Sequence, residues 1–203
     1  MDRLVFGVAP DGFPVAECEL AADETGLLPA LTEEAIRAGA ERLWVHCAAD
    51  LTGFGFQPRE GYRRFTVAAC PAGDPLPVLD VETIASLWPR AFGGQWGHRH
   101  VDAAMARTFA ASGEAVFVGL REQGEWTGLC RIEPGERLID GPGFVGRPRT
   151  DDAVRRLVLG ACAYLGAGPA TAETWGEPAA PYLALGFELA EESKGWELLL
   201  DPA

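Results

Sequence analysis

Spacings of glycine, histidine, serine and cysteine are where this 203-residue chain first suggests chemistry. Gly141-Pro142-Gly143-Phe144-Val145-Gly146 has the G-x-G-x-x-G spacing with which a tight turn after a strand cradles a dinucleotide. That use needs a helix to open within the motif, and here Pro148 and a helix cap come only after it. His98 and His100 could ligate a metal as a pair, but no cysteine or third histidine lies nearby, and no metal is expected. The only serines, Ser86, Ser112 and Ser193, are not in G-x-S-x-G, so a hydrolase elbow is absent. The five cysteines, Cys18, Cys47, Cys70, Cys130 and Cys162, form no C-x-x-C and leave one over in any pairing. That pattern fits a reduced, cytoplasmic setting.

The charge narrows the partners. Thirty acids against 17 bases give a net charge of −13, and Lys194 is the only lysine. Such a field repels nucleic-acid phosphates and anionic lipid surfaces and favours a small cationic molecule or a basic partner. The chain is 48% apolar, enough for a real core. No run approaches the ~20 apolar residues that span a bilayer. The start, with Asp2 and no long apolar run before Pro10, does not read as a signal peptide.

These residues need elements to position them. Residues 71–79 (PAGDPLPVL) carry three prolines and no period, the signature of a linker between a 1–70 region and an 80–203 region. Before it, Pro14–Leu20 reads as a strand and Leu27–Ala40 as an amphipathic helix. Arg42–Ala48 reads as a buried strand and Tyr62–Ala69 as a last one. After it, Asp80 caps a helix to Ala91, and Val101–Ala111 makes a second. Strands follow at Ala115–Leu120, Glu125–Ile132, and Arg137–Asp140 into Gly143–Val145. Thr150 or Asp151 caps a helix to about Leu165; then come the strand Ala170–Trp175, the short helix Ala179–Leu185 and the strand Gly195–Asp201. The two regions end alike: helix, strand, Gly-Phe, turn, then GYRRFTV or GWELLLD. The first region therefore reads as the C-terminal half of the unit that is whole in the second, and 14–69 and 115–203 predict two sheets of similar strand order.

The second region resembles the GCN5-related N-acetyltransferases. Three stretches carry the resemblance: Ile139-Asp140-Gly141-Pro142-Gly143-Phe144, like the family's fourth strand; the loop and helix headed by Arg149; and Tyr182-Leu183-Ala184-Leu185-Gly186-Phe187, like Y-x-x-L-G-F. The resemblance implies an α+β fold with a mixed sheet, one partial repeat followed by one full one. It implies acyl transfer from acetyl-CoA to a small cationic amine. The Phe144 or Val145 backbone N–H would then polarise the thioester carbonyl, and Tyr182 would protonate the leaving thiolate. Asp140, Glu133 or Glu173 would deprotonate the amine. Arg147, Arg149 and Thr150, with Phe144 and Val145, would hold the cofactor. Gly93–His100 falls where the family builds its acceptor pocket. A homodimer is compatible with this reading.

The chain departs from the family at the pyrophosphate loop. Its glycines let helix N–H groups wrap phosphates, but Asp152 and Val154 stand at those positions. Two carboxylates at a helix N-terminus repel a pyrophosphate, which predicts a dissociation constant of about 100 μM or more for acetyl-CoA. The alternative reading is a catalytically inactive binding or dimerisation module of the same fold.

Overall fold

A computed structural model describes residues 3–9, 11–59, 61–92, 101–146, 149–176 and 178–200. Its strands are β1 (Val5–Val8), β2 (Pro14–Glu19), β3 (Arg42–Cys47), β4 (Gln57–Arg59), β5 (Tyr62–Val67), β6 (Val116–Glu122), β7 (Glu125–Glu133), β8 (Leu138–Phe144), β9 (Ala170–Trp175), β10 (Glu188–Glu192) and β11 (Lys194–Leu199). Its helices are α1 (Leu28–Arg37), α2 (Val81–Phe92), α3 (Ala103–Ser112), α4 (Asp151–Leu165) and α5 (Ala180–Leu183). Short 3-10 turns cover Ala22–Leu27 and Thr52–Phe54. The caps follow the sequence: Asp80 accepts from Thr83 N at 2.8 Å, and Asp102 accepts from Ala104 N and Met105 N. Among the described residues no helix is long and apolar enough to cross a membrane.

The chain forms two sheets, one ordered β1-β2-β3-β11-β4 and the other β10-β5-β9-β8-β7-β6. Read from opposite ends they match. Each has an antiparallel pair (β1/β2, β7/β8), then a parallel neighbour (β3, β9), then an inserted strand, then a last strand (β4, β10). The inserted strands are exchanged. β11, from the end of the chain, completes the first sheet, and β5, from before the linker, completes the second.

The compact units are bounded accordingly. Among the described residues, one holds the chain up to Tyr62 and from Glu192 onward, the other runs from Arg63 to Glu191. The division expected along the chain, 1–70 and 80–203, differs from these units by the two exchanged strands. Nor are residues 71–79 a free linker. Leu79 N donates to Phe117 O and Gly119 N to Pro77 O, so the segment's end pairs along β6.

In the first unit, α1 supplies Leu28, Leu31 and Ala35 to a core with Ala16, Leu43, Val45 and the exchanged Trp196. Glu197, also on β11, is buried there; it accepts from Trp44 Nε1 at 2.9 Å and pairs with Arg59. In the second unit, alternate residues of the strands face opposite layers. Val118, Leu120, Cys130, Ile132 and Ile139 meet α4, while Phe117 and Leu129 meet α2 and α3.

Candidate functional site

β8 and β9 hold together over three positions only, Leu138↔Thr171, Ile139↔Ala172 and Asp140↔Glu173. Both strands continue, to Phe144 and Trp175, without further partners in that ladder. A bulge starts the divergence: Arg131 faces Asp140 but Cys130 faces Pro142, so Gly141 is the extra residue. A Cβ at Gly141 would lie 3.3 Å from Glu173 O, a tight contact that the glycine avoids.

The direction of the backbone groups follows from the ladder. Val145 N donates to Thr127 O at 3.0 Å, back toward β7. Antiparallel pairs alternate, so the N–H of Phe144, opposite Gly128, points the other way, to the side on which β9 has parted. Pro142 lies on that same side and has no N–H to offer. One backbone donor is thus aimed at the opening. In the first unit the corresponding strands β2 and β3 pair over five consecutive positions, from Val15↔Arg42 to Glu19↔His46. They open no such gap.

The residues expected to hold a cofactor divide. Phe144 and Arg149 come together: the Arg149 guanidinium lies 5.8 Å from the Phe144 ring centroid, and its Nη1 donates to Gly176 O at 3.4 Å. Arg149 therefore bridges the ends of the two diverging strands. Val145 is buried beside α2, with its N–H committed to β7. Thr150 is the N-cap of α4, its hydroxyl accepting from Ala153 N at 3.2 Å. The cap is thus Thr150, with Asp151 and Asp152 exposed in the first turn. Val154 is a fully buried core residue. Arg147, His98, His100 and the rest of 93–100 lie outside the described residues.

The three carboxylates are each paired with an arginine that the sequence reading did not single out, Asp140 and Glu133 with Arg131 and Glu173 with Arg64. Arg131 pairs with Asp140 (Nη1 to Oδ2, 2.9 Å) and with Glu133. Its guanidinium lies 4.8 Å from the Phe109 ring centroid. Across the sheet, Arg64 on the exchanged strand holds Glu173 at 2.8 Å and Glu191 at 3.3 Å. The Asp140 carboxyl is pushed up to about 6, first by burial and then by the charges of Glu173 and Glu133, against the pull of Arg131. Next to Arg131, Phe109 also lines a mostly apolar cavity of about 620 Å³ with Trp88, Val101, Met105 and Glu114.

Tyr182 sits apart from these pairs. It is fully buried on α5, stacked on Phe65 (4.5 Å between ring centroids, 4° between planes) and edge-on to Phe187. Its ring is core, and its phenol reaches a ligand only if α5 or its neighbours move. Among the described residues no group of His, Cys, Asp and Glu could hold a metal ion.

The bulge, the short β8/β9 ladder and the strand order decide the fold. It is that of the GCN5-related N-acetyltransferases. A GCN5-related N-acetyltransferase from Sphaerobacter thermophilus superposes with a TM-score of 0.62 over 100% of this chain and 82% of its own, at 13% identity. A tandem GNAT protein of the clavulanic acid biosynthesis pathway superposes with a TM-score of 0.57 over 95% of this chain and 77% of its own, at 16% identity. No known family profile and no curated protein sequence matches the chain.

Proposed function

We propose that this protein is an N-acyltransferase that uses an acyl-CoA thioester and a small cationic amine, with its one site in the second unit. The observation that carries the reading is the opening between β8 and β9, with the Phe144 N–H aimed into it and Asp140 at its base. An acyl-CoA thioester held there would supply the electrophilic acyl group. Phe144 N–H would donate to the acyl oxygen as negative charge develops on it. Asp140, ionised above pH ~6, would take a proton from the ammonium. The acidic surface would draw such an amine in, and the cavity beside Phe109 would take its apolar part.

The residues suit the thioester arm better than the pyrophosphate. Phe144 and Arg149 line the opening, but Asp151 and Asp152 stand at the helix start where phosphates would bind. That observation favours a second reading, a non-catalytic module of the same fold. Tyr182 is the proposed proton donor to the leaving thiolate only if its phenol becomes accessible.

The test is a calorimetric titration with acetyl-CoA together with an assay of thiol release over a panel of amines. Amine-dependent thiol release that is lost in Asp140→Asn supports the transferase. Acetyl-CoA binding without release over the whole panel supports the module.

A further inference from the structure

We propose that Arg131 is a positioning residue for the transfer: it anchors one oxygen of the Asp140 carboxylate, leaves the other for the proton, and holds the group ionised. The inference rests on the reading of Asp140 as the base. Arg131 and Asp140 face each other in the β7/β8 register, beside the bulge at Gly141. Arg131 Nη1 donates to Asp140 Oδ2 at 2.9 Å. That bond takes Oδ2 and leaves Oδ1, on a side chain that is half-buried rather than sealed.

The guanidinium is shared. Its other arm, Nη2, pairs with Glu133. Its Cζ lies 4.8 Å from the Phe109 ring centroid. Its Nε is buried with no acceptor among the described residues. Two carboxylates and one ring therefore fix where the fork sits. Glu133 and Asp140 divide one cation between them. The further charges at this place are Glu173, opposite Asp140 on β9, and Arg64, which holds Glu173 and Glu191. Arg64 is bonded to those two carboxylates, and Arg131 is the cation bonded to Asp140. Burial, Glu173 and Glu133 push the Asp140 carboxyl up, and Arg131 opposes them.

The step this arrangement serves is a proton transfer. An N–H bond of the ammonium breaks, its electron pair stays on nitrogen for attack on the acyl carbon, and the proton forms an O–H bond with Asp140 Oδ1. Without Arg131, Asp140 would meet Glu133 and Glu173 with no cation of its own and would hold its proton to higher pH. Without the charge of Glu133, Asp140 would have Arg131 to itself and would lose its proton sooner. Substitutions at two neighbours thus act in opposite directions.

The experiment follows the Asp140 carboxyl by carbon-13 NMR across pH in the full-length protein, its signal assigned as the one missing in Asp140→Asn. Thiol release from acetyl-CoA with an amine that reacts is measured over the same pH range. Arg131→Met should move the Asp140 titration up by about 1–3 pH units, the usual effect of one arginine beside an aspartate, and the acid limb of turnover with it. Rate lost near neutrality should return at higher pH, which a structural loss would not allow. Arg131→Lys keeps the charge and should restore most of the change. Glu133→Gln should move both titration and acid limb down, and it decides the matter if Arg131→Met does not fold. An Asp140 titration that Arg131→Met leaves in place, one that Glu133→Gln raises or leaves in place, or a loss of rate equal at every pH would each overturn the proposal. If no amine gives thiol release, the carboxyl titrations still decide the hold of Arg131 on Asp140, and the failure falls on the transferase reading.

Discussion

Asp140 holds its proton to higher pH than an exposed aspartate because its carboxyl is sunk between Glu133 and Glu173 with one arginine against it. A carboxyl whose folded-state value, about 6, lies above its ordinary value of 3.8 stabilises the fold only while protonated. Its contribution is present below pH ~4 and is lost as pH rises to about 6, a change of at most about 3 kcal/mol. The expected outcome is that wild type minus Asp140→Asn, measured by thermal melts across this window, falls with rising pH. A difference that rises or stays flat would remove burial as the dominant influence on this group. If Asp140 is also the base, turnover should climb over the same window and level off above it. Tyr182 makes a contrasting case. Its ring fills the space between Phe65 and Phe187, so Tyr182→Ala should cost about 3–5 kcal/mol, as large core truncations do. Tyr182→Phe keeps the stack and should stay within about 1.5 kcal/mol of wild type; chemical denaturation of both variants reads the difference. The sequence singled out Tyr182 and the three carboxylates by motif and strand, but not Arg131 and Arg64. Arg64 stands 109 residues before Glu173, and Arg131 meets Asp140 only through the β7/β8 register, so neither pairing shows in the spacing along the chain.

At the scale of elements, local pattern located most helices and strands, and the structure differs where pattern is thin. β1 is four residues, β4 three, and β10 (ELAEE) is exposed throughout. β4 (QPR) and β10 have neither the alternation nor the apolar run that marks a strand, and the apolar run of β1 (VFGV) is only four residues long. The exchange of β5 and β11 was beyond such reading, because alternation says that a segment is a strand and not which sheet it joins. Chemistry at the ends of the two strands supplies what periodicity lacks. Gly61 precedes β5, and a Cβ there would lie 2.2 Å from Ser193 O, just before β11. Ser193 N donates to Tyr62 O at 3.0 Å. The starts of the exchanged strands therefore touch backbone to backbone where no side chain fits. Gly61→Ala should force them apart and cost about 3 kcal/mol, the upper range for inserting a methyl group into a packed site. A lowered urea midpoint with early loss of amide protection in β11 is expected; an unchanged midpoint would mean that the contact is slack.

For the molecule as a whole, the acidity that the sequence declared bears on the ligand the fold suggests. Coenzyme A is a polyanion, and a net charge of −13 opposes it at every distance. Most proteins that bind phosphates offer positive charge, so salt weakens their complexes. Here salt should do the reverse, because it screens a repulsion. The local geometry sharpens the case: Thr150 caps α4 with its own hydroxyl, and Asp151 and Asp152 project from the first turn into solvent. Val154, read from the sequence as a displaced loop glycine, is instead part of the core under α4, so restoring a glycine there would open a cavity rather than a phosphate site. The informative variant is Asp152→Asn, which removes one exposed charge and leaves the helix intact. Native binding of acetyl-CoA is expected at about 100 μM or weaker, tightening as ionic strength rises from low to physiological. Asp152→Asn should tighten it about 3- to 10-fold at low salt, and by less at high salt, where screening has already removed the repulsion. Calorimetric titration of both proteins at two salt concentrations measures all three effects. Micromolar affinity that weakens with salt would show that the arginines before and in the first two turns of α4, Arg149, Arg155 and Arg156, outweigh the carboxylates, and that the pyrophosphate lies away from the first turn of α4.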